Sequence, residues 1–361
     1  MLPLPVSLSS LTARGGRLGH RYSRSTHDVL RTRARVTNLS VLLLALSLPA
    51  PSSQPLVLLC LVVFLRPRPR VQAPQRRSRG HMGTRRAVRT PWAMWETVAR
   101  DRKLEGLDHL VLVPGHAVWT GNSVEEGLDE DHWILEPYQR GGGRVQAFVR
   151  HILAASDIAR ADTHALLVFS GGQTRLAATS TEAESYLRLA HLSSLLPSAS
   201  SPAASPHTPV LRATTEEHAL DSFQNLLFSL ARFREYTGRW PARVTVVGYE
   251  MKRRRFAELH RAALRWPADR FEYVGIDPDG EDAATAAQGE LQNGYKPYRE
   301  DLYGCHGVLL AKRRSRNPFS RFHSYYSSTP EIGPLLNWCP GRPDGGQTEI
   351  YPGPLPWDEP K

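Results

Sequence analysis

The turn Ser170-Gly171-Gly172 is the first place in the sequence where the residue types suggest chemistry. It follows the apolar run 166–169 and leads into the polar residues 173–175. Two glycines allow the backbone to turn its N–H groups towards a ligand, and such groups at the start of a helix favour anions. The alternative is a tight turn without a ligand, since Gly-Gly pairs also occur in ordinary turns.

His116 and Asn225 also stand out. His116 directly follows an apolar segment, where an imidazole can act as an acid, a base or a donor to an anion. It can equally be an ordinary turn residue. Asn225 lies inside the apolar run 223–228, and a buried amide must find hydrogen-bond partners. We expect Asn225 to bind a neighbouring loop or a ligand.

A run of four cations, 252–255, follows the strand-like segment 243–250. Such a run is ordinarily the solvated face of a helix, but at a sheet edge an arginine can hold phosphate or carboxylate. His116 is the candidate catalytic residue. The complete set of candidate ligand-binding residues is Gly115, His116, Ser170, Gly171, Gly172, Glu182, Asn225, Glu250, Arg253 and Arg255.

Several common chemistries are disfavoured. The chain lacks a Walker A sequence, and the stretch around Ser170 lacks the Gly-x-Ser-x-Gly elbow of a nucleophilic serine. Glu217, His218 and Asp221 share a helical face, but no matching metal ligands are visible elsewhere, so no metal site is predicted. The wide spacing of the three cysteines argues against a disulfide framework and a cysteine zinc site, and for a reducing compartment.

These candidate residues need a scaffold that brings distant turns together. Apolar runs predict strands at 107–116, 165–172, 243–250, 270–278 and 305–313. Helical patterns lie at 144–159, 180–192, 214–238, 251–266 and about 281–302. The alternation predicts an α/β protein with a Rossmann-like three-layer fold and a mostly parallel sheet. The carboxyl ends of its strands then share one edge, where ligands bind.

The positive charge of the chain is concentrated in its first quarter. Residues 1–90 hold 16 arginines, no lysine and one acid, so they carry +15. Because the whole chain carries +11, residues 91–361 carry −4. This balance argues against nucleic acid as a partner of the folded domain.

The apolar segment 39–65 is long enough to cross a bilayer, but Pro49, Pro51 and Pro55 interrupt it. Three interpretations stay open: a kinked membrane anchor, a targeting segment, or a poorly structured extension. As an anchor, residues 39–65 would contact the membrane and leave the domain facing the cytoplasm. The arginine-rich residues before it resemble a mitochondrial transit peptide in composition.

The predicted organisation has three parts. Residues 1–92 form a basic extension and linker, predicted to be disordered or membrane-associated. Residues 93–313 form the α/β domain, in which the Ser-, Pro- and Ala-rich stretch 193–213 is a flexible insertion. Residues 314–361 form an irregular tail along the domain surface.

The turns, taken in chain order, resemble the YdcF/SanA/ElyC-like domain family of unknown function, over roughly residues 107–275. The resemblance rests on a strand ending at Gly, an Arg-led helix, a Ser-Gly-Gly turn, a Thr-Glu-Ala helix start, an Asn-bearing helix and a strand leading into cations. In this chain these are Val113-Pro114-Gly115, Arg144-Val145-Gln146-Ala147, Ser170-Gly171-Gly172, Thr181-Glu182-Ala183, Ser222-Phe223-Gln224-Asn225 and Val246–Arg255.

The sequence is most similar to a eukaryotic branch of that family, whose members are usually described as cytoplasmic. The similar segments include 221–233, 253–264, 274–278 and the tail motifs at 317–319, 335–339 and 355–357. The resemblance implies a Rossmann-like fold, a small-molecule role and S-adenosylmethionine as a possible cofactor. The chain departs from the family pattern at two positions, which argues against the family's activity. Gln224 stands where the family has a Glu before its Asn, and Glu250 or Met251 stands where the family has a His after the third strand.

Three functions remain open from the sequence. The leading one is binding of a small anionic or nucleotide-like ligand at the strand edge. The second is a hydrolase or transferase that acts on a phosphorylated or glycan-lipid substrate. The third is a membrane-tethered interaction module in which the fold is only a scaffold.

Overall fold

Five parallel strands form the central sheet in a computed structural model that describes residues 90–199, 210–280, 282–341 and 345–358. The sheet order is β7-β4-β1-β8-β9, and each neighbouring pair is parallel. Two small antiparallel ribbons, β2-β3 and β5-β6, lie outside this sheet. In chain order the strands are β1 (His109–Pro114), β2 (Val118–Trp119), β3 (Trp133–Ile134), β4 (Ala165–Ser170), β5 (Ser198–Ala199), β6 (Val210–Leu211), β7 (Ala213–Glu216), β8 (Arg243–Gly248) and β9 (Phe271–Gly275).

Helices connect these strands and cover the sheet. They are α1 (Trp92–Trp95), α2 (Arg144–Ala161), α3 (Glu182–Leu192), α4 (Ser222–Thr237), α5 (a 3₁₀ turn Glu250–Lys252, a π-helix Arg255–His260 and a last turn Arg261–Ala263), α6 (Ala283–Glu290, continued by a π-helix Leu291–Tyr295), α7 (Lys296–Glu300), α8 (Gly307–Ser315), α9 (Tyr325–Ser328) and α10 (Gly333–Leu336). Single 3₁₀ turns lie at Arg102–Leu104, Glu125–Leu128, Glu130–His132, Pro137–Gln139, Ala268–Arg270 and Pro330–Ile332.

The side chains of each strand alternate between two apolar layers. In β1, Leu110 and Leu112 face a layer built from α4, α5 and the tail. Val111 and Val113 face the other layer, built from α2 and α3. Because helices cover both faces, all six residues of β1 are buried, as expected for a parallel sheet.

Helix starts are fixed by side chains at the carboxyl edge of the sheet. The Thr181 hydroxyl accepts a hydrogen bond from the Glu184 amide at the start of α3. Asp221 accepts one from the Gln224 amide at the start of α4. These caps orient the helix starts towards the same edge as the strand ends.

The chain order creates a topological switch point between β1 and β8. From β1 the chain moves through β4 to β7 on one side, and then returns to β8 and β9 on the other. The loops that follow β1 and β8 therefore diverge, which leaves a crevice at the carboxyl ends of these strands. The fold thus singles out His116 and the residues after Gly248.

The predicted α/β class and four of the five predicted strands are confirmed, while the strand predicted at 305–313 is wrong. Residues Gly307–Ser315 form helix α8 instead. The run Val308-Leu309-Leu310 was too short to separate a strand from a helix by periodicity. The fifth strand is β7, taken from a stretch predicted as the start of a helix; its Thr-Thr-Glu pairs with β4.

The predicted insertion and tail differ in outcome. Within 193–213, β5 pairs with β6, whereas residues 200–209 lie outside the described residues. In the tail predicted to lie irregularly along the surface, Tyr325, Ile332 and Trp357 are fully or almost fully buried in the layer with α4 and α5. The described tail is therefore part of the domain core.

Among the described residues, no helix combines the length and the apolar character that a membrane span requires. The segment 39–65 and the extension 1–89 lie outside the described residues, so the anchor, targeting and disorder interpretations stay predictions.

Candidate functional site

The two glycine amides after β4 are paired with the protein itself. The Gly171 N–H donates to the Glu216 carbonyl at 2.9 Å, and the Gly172 N–H donates to the Ala219 carbonyl at 2.7 Å. The next helix start is also satisfied, because the Glu182 amide donates to the Gly172 carbonyl. The prediction that these two glycine amides hold an anion is therefore wrong, since neither is left to donate.

The glycines at this edge are required by packing. A Cβ on Gly171 would lie 2.8 Å from the Cβ of Glu182, and one on Gly115 would lie 2.6 Å from the same atom. A Cβ on Gly172 would lie 2.9 Å from the Ala219 carbonyl oxygen. The side chain of Glu182 fills the space against the two strand ends and accepts a hydrogen bond from Thr174.

Ser170 and Asn225 belong to a buried hydrogen-bonded group, the Glu216 cluster, defined as Ser170, Glu216, Asn225 and Tyr325. The Ser170 hydroxyl lies 2.7 Å from Glu216 Oε2 and 3.1 Å from Asn225 Oδ1. The Tyr325 hydroxyl donates to Glu216 Oε1 at 3.0 Å. Asn225 thus meets the last residue of β4, where a neighbouring loop or a ligand was expected, and the Ser170 hydroxyl lies against a carboxylate.

Glu216 is the centre of that cluster and is completely buried. Its carboxylate also accepts hydrogen bonds from the backbone amides of His218 at 2.8 Å and Ala219 at 3.3 Å. Burial raises the pKa of Glu216 to about 7, although these hydrogen bonds act in the opposite direction. The cluster closes the end of β7 with the protein's own side chains.

The predicted cations after β8 fall into two kinds. Arg253 is exposed and makes an ion pair with Glu250, at 2.6 Å from each carboxylate oxygen. Both residues therefore lie on the surface as a mutual pair. Arg255 is almost buried and pairs with Glu290 at 3.0 Å, and its charge lowers the pKa of Lys252.

A second polar group, the switch-point cluster, consists of His116, His151, Tyr249 and Lys252. The His116 ring stacks on Tyr249 with 4.8 Å between centroids, and the His151 ring meets Tyr249 edge-on at 5.0 Å. Lys252 Nζ lies 3.4 Å from His116 Nδ1. Loops and helices after β1 and β8 supply all four residues, so the cluster lies where the topology places the crevice.

The imidazoles of this cluster are neutral at pH 7. Burial, followed by the nearby Lys252 charge, places the pKa of His116 well below its ordinary value. Burial lowers the pKa of His151 to about 4, and its Nε2 bonds the Ile276 carbonyl at 2.8 Å. His116 Nε2 is buried and has no hydrogen-bond partner among the described residues. Other buried atoms share this state, among them His151 Nδ1 in the same cluster and Ser156 Oγ, so the position of His116 at the switch point marks the site more than its unpaired nitrogen does.

Lys252 is the most strongly perturbed cation in the crevice. Although part of the residue is exposed, burial of its ammonium lowers the pKa to about 7. The charges of Arg255, Arg316 and Arg144 lower this pKa further, and Glu290 raises it. Arg316, Arg255 and Glu290 act in the same way on Lys312. We define the basic cluster as Arg144, Lys252, Arg255, Lys312 and Arg316.

The structure thus divides the residues predicted from the sequence. His116 and Arg255 lie at or beside the switch point, whereas Ser170 and Asn225 belong to the Glu216 cluster. The sequence analysis missed His151, Tyr249, Glu216 and Tyr325 as site residues. His151 had a visible signal, because it interrupts the apolar face of α2 next to Ile152. Glu216 had none, because Thr-Thr-Glu-Glu also has the pattern of a helix start.

A third feature involves two of the three cysteines. The structure joins Cys305 and Cys339 in a disulfide, so the argument from the wide cysteine spacing against a disulfide is wrong for this pair. His306 lies beside them. The two sulfurs and a ring nitrogen of His306 all lie within 4.8 Å of one another. Residues 34 positions apart meet here because the tail folds back onto the segment before α8.

A doubly covered parallel sheet with a switch-point crevice defines an α/β protein of the Rossmann-like class. The chain is 31% identical over 307 residues to "Uncharacterized protein YOR238W" of Saccharomyces cerevisiae, and the match covers 72% of this chain and 99% of the yeast protein. The chain belongs to the same family as this yeast protein. Neither a family model nor a solved structure matches the sequence.

Proposed function

We propose that the protein binds a small phosphorylated ligand in the switch-point crevice. The observation that carries this proposal is the position of Lys252, whose Nζ lies 3.4 Å from His116 Nδ1 among the arginines of the basic cluster. His116 and Lys252 contact the ligand, and Arg255 with Arg316 supply the surrounding positive charge.

Electrostatics supports an anion as the occupant. Positive charges that crowd a partly buried lysine make its protonated form costly, and an anion between them removes that cost. Glu290 pairs with Arg255 and also raises the pKa of Lys252, but three arginines lower that pKa, so cations outnumber the carboxylate around Lys252. Phosphate groups are suited to such a site because several cations can share their oxygens.

The test is calorimetric titration of the full chain with inorganic pyrophosphate, ATP and S-adenosylmethionine at pH 6.5. We expect pyrophosphate or ATP to bind, and Lys252→Met to weaken that binding by at least about tenfold, the loss of one strong charge contact. Lys296→Met is the matched control, because Lys296 bonds Gln292 on an exposed helix face. Absence of binding by all three compounds, or equal losses in the two variants, would refute the proposal.

A specific observation favours an enzyme as the second candidate. Lys252 has a pKa of about 7 and lies beside the neutral imidazole of His116, so its amine can give up or take up a proton at neutral pH. A hydrolase or transferase acting on a phosphorylated or glycan-lipid substrate would use Lys252 for that purpose, with His116 as a hydrogen-bonding group. Loss of turnover in His116→Ala with ligand affinity retained would separate catalysis from binding alone.

Membership of the YdcF/SanA/ElyC-like family belongs to the same proposal. The agreement between the Rossmann-like fold and the order of the quoted turns supports it. S-adenosylmethionine is the cofactor that this resemblance implies, and its adenosine and sulfonium groups carry no phosphate. Binding of S-adenosylmethionine that is insensitive to Lys252→Met would favour the family assignment over the phosphate site.

A further inference from the structure

We propose that Cys305, His306 and Cys339 form a redox-controlled binding site for a zinc-like divalent metal ion. In the disulfide form the two sulfurs are bonded to each other, and in the reduced form both become metal ligands with His306. The site is independent of the switch-point crevice, and no residue is shared between them.

The donor set is suited to zinc. Two cysteine sulfurs and one imidazole nitrogen are the ligand types that Zn²⁺ prefers, and three protein ligands leave a fourth position open. His306 Nε2 lies 3.3 Å from Cys339 Sγ. A tetrahedral zinc ion with bonds of about 2.3 Å to sulfur and about 2.0 Å to nitrogen separates such a pair by roughly 3.5 Å. The imidazole is therefore already close to the required distance from one sulfur.

The backbone around these ligands is held by a buried carboxylate. Asp301 accepts hydrogen bonds from the amides of Cys305 at 3.2 Å and His306 at 2.8 Å. Gly304 precedes the pair with φ of +63°, a conformation in which a Cβ would be strained. This support does not depend on the disulfide, so we expect the ligands on this turn to keep their places after reduction.

A cavity lies beside His306. Its volume is about 330 Å³, and its lining includes His306, Glu300, Asp301 and Pro297. A water molecule can enter it and occupy the fourth position on the metal. The two carboxylates give the cavity a negative charge, which favours the approach of a cation.

A dithiol can supply the two electrons and two protons that reduction of the Cys305–Cys339 disulfide requires. Two successive thiol–disulfide exchanges break the Cys305–Cys339 bond, produce two cysteine thiols and convert the dithiol into a cyclic disulfide. Zn²⁺ then displaces the two thiol protons and binds both sulfurs. In the disulfide form, His306 Nε2 bonds the Pro340 carbonyl at 2.8 Å; metal binding replaces this bond and leaves the ring hydrogen on Nδ1.

The experiment uses the full chain with Co²⁺ as a spectroscopic probe for zinc. A phosphine reductant is used because a free dithiol competes for the metal. We expect the reduced protein to bind one Co²⁺ per chain, with thiolate-to-metal charge-transfer absorption, and Zn²⁺ to displace it. The oxidised protein should bind at least tenfold more weakly and lack that absorption.

Variants separate this site from other metal-binding groups. His306→Gln should weaken Co²⁺ binding at least tenfold, whereas His164→Gln, which alters an exposed imidazole, should not. Cys339→Ser should abolish the charge-transfer band of the one-to-one complex, and Cys60→Ser should preserve it. Circular dichroism of each reduced variant checks the fold. Equal binding by oxidised and reduced protein, or wild-type binding in folded His306→Gln, would overturn the proposal.

Discussion

The Glu216 cluster and the switch-point cluster lie at the carboxyl edge of one sheet, but their polar groups are satisfied to different degrees. In the Glu216 cluster, hydroxyls and backbone amides surround a single carboxylate and donate to it. In the switch-point cluster, His116 Nε2 is buried without a partner among the described residues, and Lys252 faces other cations.

This difference separates a structural role from a functional one. A closed network of hydrogen bonds stabilises the fold, because each donor has exchanged water for a protein acceptor. A site with crowded like charges and an unpaired nitrogen costs stability, and such sites are found where a ligand completes the arrangement. Two regions with similar residue types at the sheet edge can therefore have opposite roles.

The largest expected effect is the loss of the Glu216 carboxylate. Glu216→Ala removes the acceptor for four donors, each at a cost of about 1 kcal/mol. We therefore expect the free energy of unfolding to fall by about 4 kcal/mol. Urea denaturation measures the change. Glu217→Ala, one residue along, removes the acceptor of a single donor, the Thr215 hydroxyl, and should lower the free energy of unfolding by about 1 kcal/mol. Similar values for the two variants would mean that the cluster is not the closed structural network described above.

Glu216 should also make stability depend on pH. Its pKa is raised from 4.5 in the unfolded chain to about 7 in the folded protein. The folded state therefore binds the proton more tightly, and this stabilisation is complete below about pH 4.5 and is lost as the pH rises to about 7. The difference in unfolding free energy between wild type and Glu216→Gln should fall by on the order of 3 kcal/mol over that interval. A flat difference would contradict the raised pKa.

The glycines after β4 should affect stability and leave ligand binding unchanged. Gly172→Ala places a Cβ against the Ala219 carbonyl, and overpacking of this kind costs about 2 kcal/mol. Gly106→Ala is the control, because no atom lies within 4 Å of its Cβ position. Thermal unfolding and pyrophosphate titration are measured on both variants. Loss of pyrophosphate binding in folded Gly172→Ala would restore the glycine turn as a ligand site.

The smallest expected effect is a pH dependence of anion binding at the switch point. Lys252 has a pKa of about 7, so above that pH the free protein loses the charge that attracts the anion. Pyrophosphate affinity should fall by about tenfold per pH unit above 7, relative to Lys252→Arg, whose guanidinium stays charged. If pyrophosphate affinity depends on pH in the same way in wild type and Lys252→Arg, the charge of Lys252 does not contribute to the proposed site.

Much of the architecture could be predicted because periodicity is a local property. The strands at β1, β4, β8 and β9 are apolar runs bounded by turns, and Thr181 has the pattern of a helix cap. Strand β7 could not be predicted in this way, because Ala-Thr-Thr-Glu has no alternation, and its pairing with β4 decides its conformation. Helix α8 was missed because three apolar residues do not define a period.

The residues of the candidate site were only partly predictable. His116 was found because it follows an apolar strand, whereas the opposite roles of Gly172 and Lys252 depended on which carbonyls and charges lie next to them. The Cys305–Cys339 pairing joins segments 34 residues apart and could not be predicted from spacing.

The sequence by itself determined the class of this protein: alternating apolar and helical periods require a covered parallel sheet, and the strand ends require polar turns. The tertiary structure alone decided which of those turns is satisfied and which is open. The physical reason is that strand order and loop divergence, which are long-range properties, set the neighbours of each polar group. Those neighbours determine whether Glu216 is enclosed by donors and whether Lys252 lies among more cations than carboxylates.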